Sequence, residues 1–445
     1  AIMQSVMVPL LPSMPAFTGS SITTASWLIT TTLLVGAVIT PIFGRLADMY
    51  GKKQILLLSF TLMTTGSLIC ATTSEIGLLI GARALQGAGA AVIPVGISIL
   101  RDELPPARIK RAVATMSSTL GLGTALGLPF AAAIAEFADW HSVFWVTFAL
   151  GLALMIATIR LIPQSPIRTG GRFDGVGAVG LTGALVSLLV PVTQGTTWGW
   201  TSPAVLLMLG TSALLFAVWG VQQLRTRDAL VDLRTAAKRS VLIPHLIALF
   251  VGFAFYGNAL ITTQQLQAST ENVGYGLSIF QAALCQLPLS LSMIIFAQVG
   301  VSISERVGPK VTVLIGASCL IVGYVMHAVP GKPLWMVLAS LSVAATGTAL
   351  VYSTLPILLL GAVPQTQMAA ANGVNVLLRS VGTTMCSAVV ATILAASAAS
   401  AIGFTSAYVV CAVLAVATFT AASALPTRHA GVRGGGDRPQ ANQGD

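Results

Sequence analysis

Long apolar runs separated by short polar connectors recur along the whole chain. A run of about 20 apolar residues, wound as a helix, matches the hydrocarbon thickness of a bilayer. The pattern predicts helices near 1–17, 24–46, 54–72, 76–100, 112–136, 141–162, 175–194, 203–224, 241–265, 275–300, 311–329, 334–361, 372–396 and 403–424. That makes fourteen spans and an all-α polytopic membrane protein as the expected fold class. The chain opens on Ala1, already inside an apolar run, so the start of the first helix is expected to be missing. No signal-peptide pattern is present.

Composition strengthens this reading. Of 445 residues, 55% are hydrophobic and 8% are charged, against roughly 25% charged in a soluble domain. So few charges could not cover a water-soluble surface of this size, which excludes a soluble enzyme, a nucleic-acid-binding protein and a disordered chain. The net charge of +10 matters less than its placement. One set of connectors holds Arg45, Lys52 and Lys53; Arg101, Arg108, Lys110 and Arg111; Arg160, Arg168 and Arg172; Arg225 to Arg239; Arg306 and Lys310. The alternate connectors hold only Lys332. Basic loops face the cytoplasm, so both ends are expected to be cytoplasmic, in a multi-pass inner-membrane protein. Arg83 and Arg379 fall inside helices and must face protein or a water cavity. The polar stretch from Arg225 to Arg239 is a candidate hinge or lateral helix, and the tail after Leu425 reads as disordered. The five cysteines sit far apart in apolar runs and read as packing residues.

An internal repeat organises the spans. Asp48, Gly51 and Lys53 match Glu305, Gly308 and Lys310 at a constant offset, and Gly89 and Ala91 match Gly347 and Ala349 at nearly the same one. Two related six-helix halves are expected, 1–162 and 241–424, with two helices and a linker inserted at 163–240 and a tail at 425–445. Parallel halves of this kind suit alternating access around a midplane site.

The motifs between and within these spans carry the chemistry. Gly44-Arg-Leu-Ala-Asp48-Met-Tyr-Gly51-Lys52-Lys53 puts an acid and two bases in an expected tight turn, where Asp48 can latch one conformation, with Glu305 as its counterpart. The stretch resembles the loop 2–3 signature of the major facilitator superfamily. Arg83, Gln86 and Gly87 share one helix face and resemble that superfamily's helix 4 motif, whose Arg is associated with proton coupling. Gly123, Gly127 and Pro129 give a close-packing face and a bend. They are similar to the antiporter motif, although Leu128 separates the glycine from the proline. Asp139-Trp140, Gly171-Arg172-Phe173-Asp174, Trp198-Gly199-Trp200 and Asn372 to Arg379 extend the resemblance, which points to the fourteen-helix drug:proton antiporters.

The resemblance implies a major facilitator fold and a secondary exporter of amphipathic or cationic drug-like compounds, driven by protons. The family's acid in the first helix is absent; Gln4 stands near its place. The remaining coupling candidates are Arg83, Glu136 and Asp139. Glu136 lies one turn closer to the membrane than Asp139, where desolvation favours its protonated form. Candidate cavity residues are Gln4, Phe253, Tyr256, Asn258, Gln264, Gln281, Tyr352, Asn375 and Arg379, an apolar and aromatic surface with a few hydrogen-bonding points. His245 and His327 read as structural. No cofactor, metal site, nucleophile motif or nucleotide loop is expected. The expected partners are the small amphipathic substrate, protons and lipid, with the chain a monomer. Other readings of the same residues are an exporter or proton-independent facilitator of an endogenous metabolite or lipid, and a membrane sensor or scaffold on a transporter fold.

Overall fold

The structure is a computed structural model that describes residues 7–10, 14–105, 139–164, 172–269, 274–329, 331–364, 367–397 and 400–425, with scattered positions between 108 and 134. Among the described residues the regular elements are all helical. Twelve helices are long and apolar enough to cross a membrane. We label the main ones α1 (Ile22–Tyr50), α2 (Lys52–Thr72), α3 (Ile76–Gly87), α4 (Val92–Glu103), α5 (His141–Leu161), α6 (Gly175–Trp198), α7 (Pro203–Arg225), α8 (Arg239–Gln267), α9 (Leu287–Val307), α10 (Pro309–Ala328), α11 (Leu334–Leu360), α12 (Met368–Ala396) and α13 (Ala401–Ser423). Helices α3 and α4 form one span, broken by a 3-10 turn at Ala88–Ala91. Pro94 explains the break, because it cannot donate to the carbonyl four residues earlier.

The expected loop at 44–53 is not a loop. Helix α1 continues through Gly44 and Asp48 to Tyr50, and α2 starts at Lys52. Only Gly51 separates them, at φ 121°, a backbone conformation that side chains other than glycine's rarely tolerate. The repeat partner behaves alike: Gly308, at φ 92°, is the sole residue between α9 and α10. Polar residues in 44–50 mimic a loop because they lie at the helix end, where charge is tolerated. The paired lysines are equivalent as well. Lys53 donates to the Ile159 carbonyl at the end of α5 (2.9 Å), and Lys310 to the Ser423 carbonyl at the end of α13 (2.6 Å). Cations complement helix C-terminal carbonyls.

Helices α1 to α5 pack with one another and α8 to α13 pack with one another, while α1 meets α12 along the seam between the two groups. Helix α6 lies against both α1 and α12, through Leu181, Leu185, Ala37, Leu377 and Val381. Helix α7 packs mainly on α6 and exposes Leu206, Leu207 and Leu214. Such exposure suits lipid and not water. The stretch after α7 contains one short helix, Leu233–Ala236, and tucks Leu230 and Val231 into the core.

Backbone proximity between α1 and α3 depends on Gly87. A Cβ there would stand 2.8 Å from the Thr32 carbonyl oxygen and 2.9 Å from Val35 Cβ. Gly87→Val is expected to lower stability by about 1–3 kcal/mol, the usual range for overpacking, read as a drop in melting temperature of the purified protein. Gly81→Val, where a Cβ meets nothing within 4 Å, should leave melting nearly unchanged.

Candidate functional site

Arg83 is 1% exposed in the interior of α1, α2 and α3. Its Nε donates to the Leu28 carbonyl of α1 (3.0 Å) and its guanidinium to Gln86 Oε1 (2.5 Å). Gln86 Nε2 in turn donates to Ser67 Oγ of α2 (3.0 Å), and Thr32 Oγ1 to the Arg83 carbonyl (3.1 Å). The chain thus meets a permanent charge with neutral oxygens, tying three helices together. The shared helix face of Arg83 and Gln86 made their contact legible in the sequence; the α1 carbonyl was not, because side-chain patterns do not reveal which backbone oxygens a fold turns inward.

A narrow cavity of about 20 Å³, room for a water or so, lies between α4, α11 and α12. Tyr352, Asn375 and Arg379 line it, with Asn372, Ile97 and Pro356. The Arg379 guanidinium sits 4.9 Å from the Tyr352 ring centre, a cation–π contact. Asn375 Nδ2 donates to the Pro244 carbonyl (3.2 Å), which fixes α12 to α8. Phe253 and Tyr256 instead join the α8–α13 core, and Asn258 donates to the Leu341 carbonyl (3.1 Å). Gln264 is exposed, and Gln281 is exposed in a capping box with Ser278. The α8 stripe therefore divides between packing and surface: Gly257 on it abuts Cys386 and Cys411. Gln4, Pro129 and Glu136 lie outside the described residues; Gly123 and Gly127 are helical and buried.

The two helix groups meet at the basic end. Asp48, 2% exposed, accepts from the Ala370 backbone N–H in the first turn of α12 (3.0 Å). An anionic acceptor at a helix N-terminus is favoured by the free amides and the dipole. Gly44 makes the approach possible, since a Cβ there would lie 2.7 Å from the Ala369 carbonyl oxygen. Lys52 forms a buried ion pair with Asp102 at the end of α4. Arg101 beside it reaches the Leu360 carbonyl of α11 (3.4 Å). Ile97, Val113, Leu359, Val363 and Met368 close the gap with apolar contact. Glu305 does not mirror Asp48: it is exposed, so the repeat equates sequence positions whose contacts differ. Asp102 escaped the sequence reading because its partner is fifty positions away, although the acidic pair Asp102-Glu103 beside Arg101 was the available signal.

At the opposite end, Asp139 is two-thirds exposed on its side chain and accepts from the His141 ring Nδ1 (2.9 Å) and backbone N–H (3.1 Å). These bonds hold its carboxyl below the usual range. Its carboxylate bonds the backbone two residues on, in the local turn that leads into α5. Lys332, by contrast, is 7% exposed. It donates to the His327 carbonyl and lies 5.1 Å from the Tyr408 ring centre, on which His327 stacks. Burial pushes the Lys332 ammonium down to about 8.

Buried cations inside helices, a seam of helix-to-helix contacts and a small lined cavity mark a polytopic membrane protein. Residues 1–386 match the Major Facilitator Superfamily, and the chain belongs to it. It is a multi-pass membrane transporter, of a family that does not consist of enzymes. It is 29% identical to multidrug resistance protein Stp of Mycobacterium tuberculosis, over 83% of this chain and 68% of that protein. It is 28% identical to a probable actinorhodin transporter of Streptomyces coelicolor, over 87% and 69%. The tetracenomycin C resistance and export protein of Streptomyces glaucescens is 26% identical, over 67% and 55%. Among solved structures, the human organic anion transporter MFSD10 (TETRAN) superposes with a TM-score of 0.67 at 14% identity, covering 95% of each chain, which shows the shared fold.

Two expectations follow. Asp48→Asn keeps the acceptor but removes the charge, and charge-assisted hydrogen bonds are roughly twice as strong as neutral ones. Spin-label distances between the basic ends of α1 and α12 should broaden toward longer values, and an unchanged distribution would mean that the Asp48 charge does not hold the two helices together. The second concerns Lys332. In the unfolded chain a lysine titrates near about 10.4, so between about pH 8 and 10 the unfolded state binds more protons than the folded one. Stability must then rise with pH across that window. Melting curves at pH 7.5, 9 and 10 should show the rise, and Lys332→Met should flatten it.

Proposed function

We propose that this chain is a fourteen-helix exporter of amphipathic drug-like compounds, driven by proton entry through the bacterial inner membrane, with both ends in the cytoplasm. The apolar runs at 1–17 and 112–136, mostly outside the described residues, would join the twelve described helices. Residues 1–162 and 241–424 act as the rocking halves, and 163–240 as an insertion riding on their seam. The basic end is cytoplasmic by the charge of its connectors. The observation that carries the reading is the cavity bearing Arg379, Tyr352 and Asn375 at the meeting of α4, α11 and α12. It offers a cation, an aromatic face and an amide inside an apolar wall; closed here to about a water's volume, it widens as the halves rock to admit a ligand held by contact area and a few hydrogen bonds. The names of the relatives, multidrug resistance and antibiotic export, support the same substrate class. Arg379 is the one charged residue in the lining, so it favours compounds with acceptor or anionic groups over simple cations.

Coupling needs a group that gains and loses a proton, and Arg83 stays charged. Glu136, with Asp139 one turn outward, carries or relays that proton, and Arg83 biases it. In proteoliposomes the protein should expel a fluorescent amphiphile faster with a proton gradient than without. Glu136→Gln should remove the gradient dependence while binding survives; Arg83→Ala should abolish transport, with the protein still folded in the membrane. Export indifferent to the gradient in the unmodified protein would replace antiport by facilitated passage of a metabolite or lipid.

A further inference from the structure

At the basic end, a cavity of about 440 Å³ opens between the linker after α7, the end of α1 and the first turns of α12. This is the size range of small-ligand sites. Its rim carries Arg45, Arg225, Arg227 and Arg234, against a single acid, Asp232. That acid is already engaged: its carboxylate accepts from the backbone N–H groups of Arg234 and Thr235 and from Thr235 Oγ1. Among the described residues, no side-chain hydrogen bond or ion pair is made by Arg225 or Arg227, Arg45 lies within electrostatic reach of Asp48, and Arg234 donates to the Leu224 carbonyl (3.2 Å). The floor is apolar, through Leu230 and Val374 among others.

The site is built, not merely rimmed. Asp174, the N-cap of α6, accepts from Gly177 N–H, from Gln222 and Gln223 side chains and from Leu230 N–H. Gln223 Oε1 accepts from Val231 N–H (2.9 Å). These bonds pin the linker so that its arginines face α1 and α12 across a fixed space. The mouth adjoins α7, the helix whose span is least buried, so the cavity is within reach of surrounding lipid.

We propose that this cavity binds a phosphate anion, the headgroup of an acidic phospholipid, with the arginines on the phosphate and the apolar floor under the glycerol and first acyl carbons. Guanidinium forks match phosphate oxygens in geometry as well as charge. The bound phosphate ties the linker to α1 and α12 beside the Asp48–Ala370 contact, since Arg45 lies one turn before Asp48 and Ala370 lines the cavity. It therefore holds the basic end closed. The inference does not depend on what the protein exports.

The test is retention of phosphatidylglycerol against phosphatidylcholine by the purified full chain, read by native mass spectrometry. The double variant Arg225→Gln/Arg227→Gln should retain phosphatidylglycerol roughly tenfold less, because each basic group near an anionic headgroup contributes a several-fold preference. Arg160→Gln/Arg306→Gln removes the same charge from exposed positions on the same end, away from the cavity, and should retain lipid as the unmodified protein does. Arg227→Gln alone repeats the comparison if the double variant expresses poorly. A second arm adds inorganic phosphate to protein in neutral lipid. Thermal stabilisation there that the cavity variant loses, without lipid selectivity, would make free phosphate the source at the same site. Equal losses in the cavity and control variants, or none in either, would overturn the site.

Discussion

A bilayer offers a bare charge nothing, and most of this architecture is the consequence. Each cation inside the apolar region must be met by the protein itself, so Arg83 draws in a carbonyl from α1 and an amide from its own helix, which is held by a hydroxyl from α2. Three helices are thereby fixed in rotation and depth by one guanidinium. Arg379 is met differently, by the Tyr352 ring in a cavity wall. The first is enclosed among three helices; the second sits against a cavity wall. That contrast separates a packing charge from one available to a ligand.

The ends of the molecule obey the same constraint with water within reach. At the basic end, the Asp48 cap on α12 joins the two helix groups, while the Lys52–Asp102 ion pair ties α2 to α4 within the first. Asp48 on α12 and Lys52 on Asp102 are both nearly inaccessible. Buried charged contacts of this kind contribute little net stability, yet breaking one is costly; of the two, the Asp48 contact crosses between the helix groups and is suited to hold in one state and separate in another. The opposite end instead buries Lys332 under Tyr408 and His327 inside the second helix group, away from the seam.

The inserted pair α6 and α7 gains its position from apolar contact along the seam and from one carboxylate. Asp174 accepts from four residues of α6, α7 and the linker. A connector that would otherwise be a loose strap becomes a wall of the basic-end cavity, adjacent to the contact that closes the two groups.

Hydropathy was enough to read the helical class and the twelve spans among the described residues, because 20-residue apolar runs are local features of a chain in lipid; the repeat was legible in matched residue positions. The repeat proved physical at Gly51 and Gly308, where each glycine alone separates two helices, and at Lys53 and Lys310, which close equivalent helix ends. Glycine's positive φ and a lysine's reach are written in residue identity. Partnerships were not. Asp48 and Glu305 occupy equivalent positions, yet one caps α12 and the other is exposed. Phe253 and Tyr256 share a helical face with the expected cavity lining but pack in the core. Lys52 finds Asp102 from the far end of another span. Helix rotation and the choice of which backbone groups to cap depend on how all the helices settle together, and only the tertiary structure decides them.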